Sequence, residues 1–169
     1  LNAYLSKKAV KVFSENDVFN HKELEARVEV ELEKFTKKIQ IEARVLGDIS
    51  INHIVPTGVA YMNTLIKNVQ GLKDVFGEGE DFQELVGDRL ELIRKISDHI
   101  HQIKVKTTEM VNQRKIANKE EDMHKMADLY CNKVRPYLED VRYHIDKLEL
   151  IVDNEMWPLP KYRELLFAR

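Results

Sequence analysis

The chain has a single cysteine, Cys131, among its 169 residues. An intrachain disulfide is therefore impossible, a cysteine-based zinc site is unsupported, and a reducing, cytoplasmic setting fits. Glycine and proline are also scarce, with 6 and 4 copies, which disfavours architectures rich in tight turns. Neither sign of charge prevails: 27 Lys and Arg face 29 Asp and Glu, leaving a net charge of -2. No strong one-sign field is expected, which argues against a nucleic-acid or anionic-membrane partner. No apolar run approaches the roughly 20 residues that span a bilayer. The N-terminus lacks the apolar core of a secretion signal. The first residue is Leu1 rather than Met, so the chain reads as a piece of something larger.

Hydrophobic residues make up 43% and charged residues 33%. Abundant Glu, Lys, Leu and Ile with little Gly or Pro favours long helices. The length suggests a single helical domain, residues 1–169, with its own core. A first helix is expected over residues 1–13, from Leu5, Ala9, Val12 and Phe13 at helical spacing. Asn20 and Glu23 form a capping-box signature for a second helix. Its apolar stripe runs Val28, Leu32, Phe35, Ile39, Leu46, with Glu42 in the missing position. Pro56 and Gly58 interrupt that pattern, as a kink or as the first turn of a new helix. Val59, Met62, Leu65, Ile66, Val69 and Leu72 then resume an apolar face. Gly77 and Gly79 mark the clearest loop. A third helix is expected over residues 82–116, with Leu85, Leu92, Ile93, Ile96, Ile100, Ile103 and Met110 inward. Asn118 with Glu121 reads as the next N-cap. The fourth stripe is Met123, Ala127, Tyr130, Val134, Tyr137, Val141, Ile145, Leu148 and Val152. Pro136 lies inside it and should cost ~3 kcal/mol unless the packing compensates. A helix of about 35 residues is about 52 Å long. The expected fold is all-α: an elongated bundle of three to five long helices with a Pro/aromatic C-terminal tail.

Each polar constellation has a plain structural explanation. His99 and His101 are two residues apart and point away from each other on a helix. Glu121 and His124 have the E-x-x-H spacing of di-iron bundles, but no second such motif exists to complete a site. Negative charge at a helix start explains that segment as well. Glu42, on the stripe with Arg44 nearby, suggests a buried ion pair or a pairing specifier. The acids of Gly-Glu-Gly-Glu at residues 77–80 would repel phosphate, so that segment is a surface turn. Cys131 has no histidine within reach and reads as an inert thiol. The tail, with Trp157, Pro158, Pro160, Tyr162 and Phe167, is the most unusual stretch. It either docks on the chain's own helices or contacts another domain or subunit. These five residues with Glu42 and Arg44 are the candidate structural and interface positions.

Three segments carry a resemblance. Residues 41–56, IEARVLGDISINHIVP, resemble an I-E-A stretch leading to an ILP-type ending. Residues 143–155, YHIDKLELIVDNE, resemble a D-x-L-E-x-x-V-D-D-E pattern, with Asn154 in place of an acid. Residues 157–167, WPLPKYRELLF, form a long and compositionally rare string at the chain end. Together they resemble the C-terminal region of type III glutamine synthetases. The resemblance implies a parent enzyme that joins glutamate and ammonia using ATP and a divalent metal, Mg or Mn, and assembles as stacked rings. It places the metal-binding glutamates and nucleotide-contacting segments upstream, in a catalytic domain. No catalytic, cofactor or metal residue is carried over to this chain. The implied role is a structural and assembly domain, whose partners are the rest of its own polypeptide and other subunits of a homo-oligomeric ring. Two alternatives are an independent coiled-coil-like interaction module and a small metallo-bundle enzyme. The first would have a start codon near Leu1, and the second would bind iron or manganese.

Overall fold

A computed structural model of the chain describes residues 2–167; the side chains of Asn2 and Tyr162 lie outside this description. The fold is all-α, and no strand occurs among the described residues. A 3-10 turn, Asn2–Leu5, precedes helix α1, Lys7–Glu15. The first helix is thus not one piece. Ser6 adopts an extended conformation and its Oγ accepts from the Ala9 N–H at 3.3 Å, which starts α1 afresh. Helix α2 covers His21–Ile49. Its start is the expected reciprocal box: Asn20 N–H donates to Glu23 Oε2 at 2.8 Å, and Glu23 N–H donates to Asn20 Oδ1 at 3.0 Å.

Proline shapes two junctions without ending a helix. A π-helical turn, Ser50–Ile54, joins α2 to α3, Val55–Phe76. A second, Tyr130–Val134, joins α5, Met123–Leu129, to α6, Arg135–Ile151. Each lies just before a proline, Pro56 or Pro136. In each, the N–H preceding the proline reaches five residues back: Val55 to the Ser50 oxygen, Arg135 to the Tyr130 oxygen. A proline ring in a helix clashes with the carbonyl four residues earlier and offers no N–H. A widened turn relieves both problems, so the backbone runs on as a helix.

Gly77 ends α3 in the left-handed region, φ 70°, and its N–H donates to the Lys73 oxygen at 2.8 Å. Helix α4 runs Glu80–Ala117. The cap after it is not Asn118. Asp122 takes that place, its Oδ1 accepting from the Lys125 N–H at 3.1 Å. Asn118 Oδ1 instead accepts from Tyr130 Oη at 2.5 Å and Gln40 Nε2 at 3.1 Å. A last short helix, α7, is Tyr162–Leu165.

The chain divides into two compact units. One holds the residues up to Arg44 together with Met110–Leu138. Its core brings Val28, Leu32, Ile39 and Ala43 of α2 together with Met110 and Ala117 of α4 and with Ala127, Tyr130 and Val134. The other holds Val45–Glu109 and the chain from Glu139 on. There Ile54, Ile96, Ile100, Ile103, Val141, Ile145 and Leu148 form the core, closed by Val152 and Trp157 of the tail. Gly58 in α3 is buried, and a side chain there would press on Ile100. A Cβ would lie 3.0 Å from Ile100 Cδ1.

Some inward assignments from the spacing shift by one residue. The buried face of α2 is Leu24, Val28, Leu32, Thr36, Ile39 and Ala43, with Ser50 just beyond. Glu42 sits one residue off that line, about 100° around the helix, and is exposed. In α4, Leu85 is exposed while Phe82 and Val86 are buried. In α3, Val59 and Ile66 are exposed.

Candidate functional site

Two polar arrangements in the second unit hold their partners at defined distances. In the first, Lys161 is buried although it is a lysine, 8% exposed. Its Nζ donates to the Glu149 carbonyl at 2.7 Å and the Val152 carbonyl at 3.0 Å. The Glu149 oxygen belongs to the last turn of α6 and the Val152 oxygen follows directly on its end, where helical N–H partners run out. An ammonium there meets both the hydrogen-bonding need and the negative end of the helix dipole. The same Nζ lies 5.8 Å from the centre of the Trp157 ring. Trp157 is 7% exposed and packs into the core of its unit. The backbone between them, Pro158-Leu159-Pro160, has little conformational freedom to lose. The tail is therefore fastened by one aromatic and one cation, and Lys161 was missed because an isolated lysine carries no signal in sequence.

The second arrangement also escaped sequence reasoning. His99 of α4 and His144 of α6 are 45 positions apart, yet their Nδ1 atoms are 3.0 Å from each other and their rings 5.3 Å. Both are half-buried. Tyr143 stands edge-on to His144 at 5.1 Å. Burial depresses the basicity of His99, with Lys147 adding to the effect and Asp98 opposing it. Burial likewise depresses His144, reinforced by His99 and Lys106 and opposed by Asp140. One imidazole must donate and the other accept, so the two Nδ1 atoms share one proton. His101, the other half of the H-x-H string, is exposed and not part of this pair.

The remaining candidates fall on the surface. Glu42 and Arg44 are both exposed, so the buried ion pair expected on the α2 seam is not present; Ala43 fills that place. Pro158 and Pro160 are exposed, and Phe167 is 83% exposed beside exposed Leu165 and Leu166. The Tyr162 side chain lies outside the described residues. Cys131 is half-buried on the second π turn. Glu121 is exposed, next to the Asp122 cap. Among the described residues, no three His, Cys, Asp or Glu side chains converge as metal ligands, and no helix is long and apolar enough to cross a membrane.

The chain is similar to known proteins along almost its whole length. A family model described as Glutamine synthetase C-terminal domain matches residues 1–73. A glutamine synthetase of Bacteroides fragilis (strain YCH46) is 52% identical over 152 residues, 90% of this chain. The type-3 glutamine synthetase of Dictyostelium discoideum is 30% identical over 97% of the chain, and a glutamine synthetase of Butyrivibrio fibrisolvens 21% over 98%. The chain spans about a fifth of these relatives' own length: 21%, 22% and 23%. All three long segments singled out in the sequence fall in helices or in the fastened tail of this fold. The chain belongs to the glutamine synthetase C-terminal domain family, with a type-3 glutamine synthetase among its relatives.

Proposed function

We propose that the chain is the structural and assembly portion of a type III glutamine synthetase, itself without catalytic chemistry. The observation that carries the reading is the 52% identity to a segment making up 21% of a glutamine synthetase. In this reading the remainder of the polypeptide supplies ligation of glutamate and ammonia, with ATP and a divalent metal, Mg or Mn. The partners of the chain are that remainder and neighbouring subunits of a homo-oligomeric ring in the cytoplasm.

The polar groups support the same reading through what they are occupied with. Asn20, Glu23, Asp122 and Lys161 serve helix ends, and Asn118 links Gln40 to Tyr130. These are bonds that hold helices in place. The exposed Leu165, Leu166 and Phe167 at the end of the tail supply apolar surface for a contact.

The assembly part is tested on a relative. Removing the region equivalent to this chain from the Bacteroides fragilis enzyme should lower the number of subunits per particle, measured by sedimentation velocity. A particle losing only the mass of the deleted segments, with subunit number unchanged, would contradict the role in assembly.

A further inference from the structure

We propose that His99 and His144 form a two-ligand site for a divalent transition-metal ion of the zinc class, bound through both Nδ1 atoms. The geometry is close to that of a chelate already. Two zinc–nitrogen bonds of about 2.0–2.1 Å at the tetrahedral angle hold their nitrogens about 3.3 Å apart. The two Nδ1 atoms stand 3.0 Å apart. A few tenths of an ångström and a turn of each ring by about 35°, half of what the tetrahedral angle lacks of a straight line, convert the shared hydrogen bond into two metal bonds.

The surroundings suit that exchange. The two ligands come from two long helices, α4 and α6, held by buried neighbours on either side: Ile96, Ile100 and Ile103 on one, Val141, Ile145 and Leu148 on the other. The ring positions are thus fixed by the core and need no loop to order. Each ring is only half-buried, so water reaches the pair and can complete the coordination shell. Imidazole nitrogen favours zinc, copper and nickel, whereas magnesium and calcium take oxygen. Asp98 and Asp140 lie near enough to act electrostatically on the rings and partly balance a cation, against Lys147 and Lys106. Two protein ligands make an open and moderately tight site, unlike the four-ligand sites that fold zinc domains.

The test is titration of the metal-free 169-residue chain with Zn2+, followed by calorimetry and by nitrogen NMR of the histidine rings. One Zn2+ per chain is expected, with a micromolar dissociation constant, and the Nδ1 resonances of His99 and His144 should move. His99→Ala or His144→Ala should weaken binding at least tenfold. His101→Ala and His124→Ala should leave it unchanged. An absence of binding at millimolar Zn2+, binding by the His99 and His144 variants as tight as by the unaltered chain, or coordination through Nε2 would each overturn the site. The NMR on the unaltered chain decides the matter should either variant lose its helical circular dichroism.

Discussion

At the residue scale, a buried cation and a pair of imidazoles make separable demands. Lys161 is held by two carbonyls rather than by a carboxylate. Lys161→Met keeps most of the aliphatic stem but removes both hydrogen bonds. It should destabilise the chain by about 1–3 kcal/mol, the cost of leaving buried hydrogen-bonding groups unmade. The melting temperature is the measurement, and a change within ±0.5 kcal/mol would show that water replaces the ammonium freely. The histidine pair responds to acid. Both folded-state pKa values lie below the ordinary histidine value of about 6.5. Between the two, the unfolded chain binds more protons than the folded one, so stability falls as pH drops below that value. The loss stops growing once the pH is below the folded pKa values, where both states are protonated. In metal-free buffer, the melting temperature should decline from pH 7.5 to 5.5, and His144→Gln should flatten the decline. An equal slope in both proteins would mean that other groups carry it.

At the element scale, helix existence was legible and exact phase was not. The fourth stripe is recovered almost intact, with Ala127, Tyr130, Val134, Val141, Ile145, Leu148 and Val152 all buried. The helix runs on past Pro136 through the π turn before the proline, where the Arg135 N–H donates to the Tyr130 oxygen. The seam of α2 drifted because Thr36 and Ala43 look unremarkable in sequence yet occupy the inward positions. Small or polar residues at a helix crossing are chosen for fit, which hydropathy does not report. Asn118 misled for a related reason. Its side chain suits a cap, but the partner that claims it, Tyr130 Oη, lies 12 residues on. The His99–His144 pair, 45 residues apart, had no local pattern at all. Gly58 shows the same limit from the other side. Alone in sequence it reads as a helix breaker, whereas in the fold it admits Ile100. Gly58→Leu should therefore cost about 1–3 kcal/mol by overpacking, despite a better helix former. Ile100→Ala in that background should restore part of the loss, a coupling that a double-mutant cycle measures. Strictly additive effects would contradict the close approach.

At the scale of the whole molecule, two compact helical units with cores of their own account for where the apolar residues go. Most of the polar groups cap helices, bridge them or face solvent, while Thr36 is buried on the inward face of α2. Similarity to a segment making up about a fifth of three glutamine synthetases supplies the setting, and the proposed reading is of a part that holds and assembles while chemistry is done elsewhere in the polypeptide. That claim is most directly exposed by giving the purified 169-residue chain glutamate, ammonia, ATP and Mg2+ or Mn2+ and measuring glutamine. The account predicts no glutamine above the protein-free control and no ATP hydrolysis. Glutamine formed in proportion to the amount of chain would contradict it.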